Sequence, residues 1–470
     1  MKDCKIILPL FLVMAGQGMH AKVAGTERPN IIFIVADDLG WTDLGISGSD
    51  YYETPAIDRL ASEGMMFDNA YSAAANSAPS RACMMSGMYT PRHGIYTVSP
   101  SERGHASERK LIPVPNTDDL DTRFVTIAEA LSAAGYRCGH IGKWHLGDDA
   151  DGTGPLAQGF DTNTGGDRAG APYSYFYPYC LPDKSRCHHG LSQGKPGEYL
   201  TDRLTDEAVK FIKESGDQPF FLHLAHFAVH TSLQAPEETI EKYRNKPAGK
   251  YHSNPVYAAM IEKLDDSVRR ICDTVDSLGM ADNTLIVFWS DNGGSEPVTD
   301  NWPLRGGKGT PYEGGDRVPL IIRWNGHTDP GTVSSVPVCG IDFFPTFISV
   351  AGADKVKGLD GKDIFSLVSG KSSRRDLFWH FPAYLESYTS DHGFRATPYS
   401  SIRSGDWKLI HYYEDGSEEL FDLSSDPGET ENLSLTEPGI RKRLHRRLFR
   451  WLSKTNAPIP HELNPEYIPR

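Results

Sequence analysis

Four short strand-like runs dominate this chain, and each ends in residues able to do chemistry. Residues 31–36 read IIFIVA, a β-branched run without polar interruption, the composition of a strand buried on both faces of a parallel sheet, and Asp37-Asp38 follow at once. Residues 284–289 read TLIVFW and run into Ser290-Asp291-Asn292-Gly293-Gly294. Between them, residues 136–141 lead into Gly142-Lys143-Trp144-His145-Leu146-Gly147, and residues 220–226 are followed by His230. Helical signals separate the runs. Thr54 and Pro55 open a helix that Gly64 closes, and Thr126 and Glu129 form a capping box for one over residues 124–135. A third helix, residues 256–278, places Met260, Leu264, Val268 and Ile271 on one face. This alternation predicts an α/β fold: a large mixed, mostly parallel sheet sandwiched by helices, with its ligand site beyond the carboxyl ends of the strands.

At 470 residues the chain is longer than one hydrophobic core usually serves. Beyond about residue 375 its texture changes. Residues 401–403, 407–413 and 419–423, with the turn Asp415-Gly416, read as antiparallel strands, and residues 438–455 as a closing helix with Leu444, Leu448 and Leu452 inward. The expected division is an α/β catalytic domain over residues 28–375 and a smaller C-terminal subdomain, an antiparallel sheet plus helix, over residues 376–470. A formal net charge of −14 argues against nucleic acid as a partner, so an anionic substrate needs a local cationic cluster. Arg441, Lys442, Arg446, Arg447 and Arg450 make the outer face of the last helix basic, first a solvated face and second a polyanion surface.

At the N-terminus, Lys2 and Lys5 precede an apolar stretch over residues 6–15 and then small or polar residues, the order of a secretory signal peptide (residues 1–21). That stretch is too short to span a bilayer, and no later segment reads as an integral membrane span. The mature chain is therefore expected to be exported, either periplasmic or secreted. Cys180 and Cys187 lie in a loop-like region and either pair as a disulfide or remain thiols, while Cys83 and Cys138 sit among core-like apolar residues.

Ser77-Ala78-Pro79-Ser80-Arg81, continuing through Ala82-Cys83-Met84-Met85-Ser86-Gly87, reads as a helix N-terminus, with Pro79 in the opening turn and Gly87 at the close. Unpaired amides and the helix dipole favour an anion there, and Arg81, one turn on, can aim its fork at the same place. An unmodified serine hydroxyl is a poor nucleophile near neutral pH. This segment, with Thr90-Pro91-Arg92-His93-Gly94 behind it, resembles the maturation signature of the type I sulfatases, members of the alkaline-phosphatase superfamily, although they more often show Thr where Ser86 stands.

The resemblance extends in order from Asn30 to about Leu433 and implies an exported sulfuric ester hydrolase acting on sulfated saccharides. In that family the first motif residue, here Ser77, becomes formylglycine (3-oxoalanine), whose hydrate is the nucleophile; serine at this position implies a radical-type maturating enzyme as partner. Asp37, Asp38, Asp291 and Asn292, together with residue 77, resemble the family's Ca²⁺ site, and their hard oxygen donors suit Ca²⁺ or Mg²⁺ better than zinc. Lys143 and His145 match the second signature, Lys143 holding the aldehyde hydrate and sulfate, and His145 acting as the base that lets sulfate leave. Lys308, in Gly306-Gly307-Lys308-Gly309-Thr310, resembles the family's sulfate-binding lysine, and His230 fits the leaving-group position, with His226 as rival.

Substrate contacts are expected from His93, beside Arg92, from Asp167 and Arg168 within residues 165–189, and from His392 and Arg395 within residues 379–395, where Trp379 and His380 also stand. Two other readings remain: a phosphoesterase of the same superfamily, which the Asp/Asn set disfavours, and a carbohydrate-binding relic whose Ser77 is never oxidised. The sugar, the ester position and the oligomeric state are not written in these motifs.

Overall fold

The computed structural model describes residues 28–370 and 375–469, so the expected signal peptide lies outside the described residues. In chain order, the elements framing the site are β1 (Asn30–Ala36), α1 (Pro55–Glu63), β2 (Met65–Phe67), α2 (Ser77–Ser86), α3 (Ile127–Ala133), β3 (Arg137–Gly142) and β4 (Thr162–Thr164). They continue with α4 (Leu200–Ser215), β5 (Phe220–Ala225), α5 (Pro255–Ser277), β6 (Thr284–Ser290), β7 (Leu320–Arg323), β8 (Thr332–Ser334) and α6 (Phe343–Val350).

Eight of the described strands form one sheet in the order β4-β3-β5-β1-β6-β7-β2-β8. The run from β4 to β6 is parallel, and β7 is antiparallel to both its neighbours. Strand β1 sits at the centre, Val35 lying opposite Ala225 on one side and Trp289 on the other. Its uninterrupted apolar run is needed because it faces two cores. Ile32 and Ile34 pack with Leu60 of α1, Leu204 of α4 and Leu264 of α5, whereas Ile31, Phe33 and Val35 pack with Ala82 of α2, Leu131 of α3 and Phe347 of α6. Each such buried side chain contributes roughly 1.5–3 kcal/mol by leaving water, so the carboxyl end of β1 is held rigidly from both sides.

The second layer system comprises β9 (Asp376–Phe381), β10 (Tyr399–Ser404), β11 (Trp407–Tyr412), β12 (Glu418–Asp422) and α7 (Pro438–Thr455). The strands are antiparallel in that order, and Leu444, Leu448, Trp451 and Leu452 of α7 close one core with Ile402, Leu409 and Leu420. Strand β9 corrects one expectation. Leu377, Trp379 and Phe381 alternate into this core, so Trp379 and His380 are buried and belong to packing, not to a sugar-binding loop. A disulfide joins Cys180 and Cys187. Among the described residues, no helix is long and apolar enough to cross a membrane.

Candidate active site

The ends of β1 and β6 put Asp37, Asp38, Asp291 and Asn292 side by side, all buried. The two strands are in register to their last residues, Ala36 opposite Ser290, so the acidic pairs emerge together. Asp38 turns back in the left-handed region, φ 64°, and its N–H donates to Asp291 Oδ1 at 3.2 Å. Carboxylate oxygens of Asp37, Asp38 and Asp291 lie within 4.8 Å of one another. Asn292 Nδ2 donates to Asp38 Oδ1 at 2.8 Å, which turns its amide oxygen toward Ser77, 3.1 Å from Oγ.

Ser77 is the first residue of α2, two residues earlier than a helix opened by Pro79 would start, and Asn76 is its N-cap. Gly87 ends the helix in the left-handed conformation. The Ser77 hydroxyl donates to Asp37 Oδ1 at 3.0 Å. One turn on, Arg81 Nε donates to Asp291 Oδ2 at 2.8 Å and Nη1 to the Lys143 carbonyl at 2.9 Å, while its buried Nη2 has no hydrogen-bond acceptor. Lys143 Nζ donates to Asp37 Oδ2 and Lys308 Nζ to Asp38 Oδ2, each at 2.7 Å. Lys308 Nζ also lies 3.1 Å from His230 Nε2. His145 follows the turn at Gly142 and itself has a positive φ of 63°; its buried Nδ1 has no partner among the described residues. The rival His226 is buried against Ser267 Oγ at 2.9 Å, away from this cluster.

The cluster's electrostatics follow from burial. Desolvation, reinforced by the charges of Asp291 and Asp38, pushes Asp37 up to about 7 despite Lys143. For Asp38 burial is outweighed by Lys308, His230 and Lys143, and for Asp291 by Arg81 and Lys143, so both are held below the ordinary carboxylate range. Burial, then neighbouring Lys143 and Arg81, lowers His145 well below its usual value and keeps it neutral. An all-oxygen donor set whose Asp37 is raised by burial and by its acidic neighbours fits a hard divalent cation.

The sulfatase family profile matches residues 29–353, and the profile for the C-terminal region of N-sulphoglucosamine sulphohydrolase matches residues 307–454. The chain belongs to the sulfatase family. A sulfatase of Formosa agariphila is 36% identical over 93% of this chain and 91% of its own length. The N-acetylgalactosamine-6-sulfatase of Homo sapiens is 30% identical, covering 91% of this chain and 86% of its own. Among solved structures, Ps i-CgsB in complex with k-i-k-neocarrahexaose superposes with a TM-score of 0.76 at 31% identity, over 90% of this chain and 92% of that one. This sulfatase is accordingly a sulfuric ester hydrolase of the type I, alkaline-phosphatase-like class.

The sulfatase's cluster floors a cleft of about 820 Å³ lined by Ser77, Asp38, His145, His230 and Lys308. Of the expected substrate contacts, Arg168 and Arg395 line it and three do not. His93 is buried 3.4 Å from Cys83 Sγ. Asp167 turns its carboxylate to His188 at 3.2 Å and serves the site only through its carbonyl, which accepts the His145 N–H at 2.9 Å. His392 is exposed and lies 2.8 Å from Glu108 Oε1. The sequence reading missed Arg103, Asn116, Asp119 and Tyr388, all of which line the cleft. Arg103, Asn116 and Asp119 sit in loops with no strand-end pattern; only the aromatic content of residues 379–395 pointed toward Tyr388.

Proposed function

We propose that this sulfatase removes sulfate from sulfated carbohydrates, with formylglycine made from Ser77 and a Ca²⁺ held by Asp37, Asp38, Asp291, Asn292 and residue 77. The observation that carries this is the placement of Ser77 Oγ at the first turn of α2, 3.0 Å from Asp37 and 3.1 Å from Asn292. The carbohydrate class is supported by relatives named for N-acetylgalactosamine-6-sulfatase activity and by a neighbour solved with a neocarrahexaose. When bound, the cation would neutralise charge on sulfate oxygens, and an aldehyde hydrate at residue 77 would supply a nucleophilic hydroxyl.

The chain's own residues account for the rest. Arg81, locked on Asp291 and the Lys143 carbonyl, fixes the helix end against the acidic edge and presents Nη2 to an anion. Lys143 bonds Asp37 Oδ2, opposing the upward push of burial on that carboxyl, and leaves Oδ1 to residue 77. His145, neutral and with a free buried nitrogen, lines the same cleft as Ser77 and can accept a proton there. Lys308 Nζ donates to His230 Nε2 across 3.1 Å at the cleft wall, where a departing alkoxide would need a proton.

The proposal includes export, on the order of charged, apolar and small residues before Ala21, with the Cys180–Cys187 disulfide in support. It also includes a radical-type maturase as partner. The test is to express the chain with and without such a maturase and to measure sulfate release from N-acetylgalactosamine 6-sulfate and carrageenan oligosaccharides, before and after chelation. Release should require the maturase, fall on chelation and return with Ca²⁺. Equal release from all preparations would overturn the proposal.

A further inference from the structure

Three arginines line the cleft, and their surroundings differ. Arg103 forms a double hydrogen bond with Glu386, and Arg168 is held by Asp119 and Asp151. Arg395 has no hydrogen bond or ion pair among the described residues, and its Nε is buried without an acceptor. Its guanidinium instead lies over the Tyr388 ring, 3.6 Å from the centroid. The opposite flank is closed by Gly309, where an added Cβ would stand 2.8 Å from Arg395 Nε and where φ is +84°. Gly309 follows Lys308 directly, so the arginine fork is wedged beside the lysine that meets Asp38.

A cation largely removed from water with no carboxylate bonded to it is costly to keep. The Tyr388 ring offsets only part of that cost. Arg103 and Arg168 already spend their forks on carboxylates of the protein, whereas Arg395 has its donors open toward the cleft. A guanidinium is the side chain best matched to a fork of two oxyanion oxygens.

We propose that Arg395, backed by Tyr388, binds a second anionic group of the substrate, a sulfate or carboxylate on the same or the adjoining sugar. The enzyme would then select saccharides that carry two anionic groups over those that carry one. This rests on the sulfate-ester reading above and narrows its substrate class. Glycine at 309 is part of the device, because any side chain there would displace the fork.

The experiment compares kcat/KM for N-acetylgalactosamine 6-sulfate, N-acetylgalactosamine 4,6-disulfate and a disaccharide joining a 6-sulfated N-acetylgalactosamine to a uronate. The unmutated enzyme should favour one of the two doubly anionic substrates by on the order of 100-fold, chiefly through KM, and which one identifies the second group as sulfate or carboxylate. Arg395→Ala should narrow that gap to within about 3-fold, and Arg395→Lys, which keeps charge without the fork, should fall between. Equal use of all three substrates by the unmutated enzyme, a comparison that needs no variant, would overturn the proposal. So would an Arg395→Ala enzyme that loses the same factor on singly and doubly charged substrates. Hydrolysis of none of the three by enzyme that releases sulfate from carrageenan oligosaccharides would overturn this proposal alone, whereas release from no substrate at all would overturn the sulfate-ester reading with it.

Discussion

Among the described residues, two buried groups of three carboxylates stand out, and they resolve their charge to different degrees. At the cleft, Asp37, Asp38 and Asp291 meet Lys143, Lys308 and Arg81. Beneath the C-terminal sheet, Glu313, Asp316 and Glu429 meet Lys408 of β11, whose Nζ lies 3.1, 3.9 and 3.0 Å from them. The second group leaves carboxylates short of cations. Burial pushes Asp316 well above the ordinary carboxylate range and Glu429 up to about 7. The first group meets its acids with three cations, which keep Asp38 and Asp291 ionised while burial still pushes Asp37 up to about 7. Adding a divalent ion there makes the cluster net positive and ready for an anion. Closure also differs, since Lys408, Glu313 and Asp316 have fully buried side chains whereas Asp38 and Lys308 open onto the cleft. A cluster matched by cations at a cleft is set up to bind, while one enclosed beneath the C-terminal sheet with a single lysine among three carboxylates is set up to hold two layers together.

That contrast is broken most sharply by substitutions that separate turnover from stability. Ser77→Ala should lower sulfate release by about 10⁴-fold or more while the melting temperature stays within a few degrees and Ca²⁺ binding survives, as calorimetry would show. Lys408→Met should do the reverse. It leaves Glu313 and Glu429 buried without their cation, so urea titration should show a loss of about 3–5 kcal/mol with turnover per folded molecule retained. Similar effects of both variants on both readouts would erase the distinction.

A pH series sharpens it. Glu429 has its pKa raised by burial, with Glu313 beside it, to about 7. For a carboxyl raised on folding, the folded state binds the proton more tightly. The stabilisation is complete below the unfolded value near 4.5 and is lost as pH climbs through about 7. Glu429→Gln should flatten that decline by on the order of 2 kcal/mol in denaturant titrations at pH 4.5 and 7.5. A slope unchanged by the substitution would mean that Glu429 stays ionised beside Lys408. The smallest effect is expected at Arg168, half exposed and already paired with Asp119 and Asp151. Arg168→Ala should change KM by less than about 3-fold.

The acidic part of the cleft cluster stands at strand ends, where a β-branched run stops and chemistry begins, while Ser77, Arg81 and Lys308 were legible through their resemblance to the sulfatase signatures. Residues 31–36 and 284–289 needed no partner to be recognised, and α7 runs over the residues expected of it. Strands of three residues, such as β2, β4 and β8, are too short to show a period and passed unseen. Strand β9 was missed differently. Trp379 and His380 look like sugar-contacting residues until their alternation with Leu377 and Phe381 finds a core to face, and that core is made by residues 399–452. Likewise His93, next to a signature, is turned inward by its contact with Cys83. Lys408 gave no hint of its role, since its three carboxylates come from the short helix Glu313–Asp316 and from Glu429.

The account stands on the chemical state of residue 77. Mass spectrometry of the peptide carrying that residue, from enzyme produced with its maturase and shown to release sulfate, tests it directly. The account predicts a peptide lighter by the two hydrogens lost when serine becomes the aldehyde, in proportion to specific activity. Full activity in a sample whose residue 77 is entirely unmodified serine would contradict it.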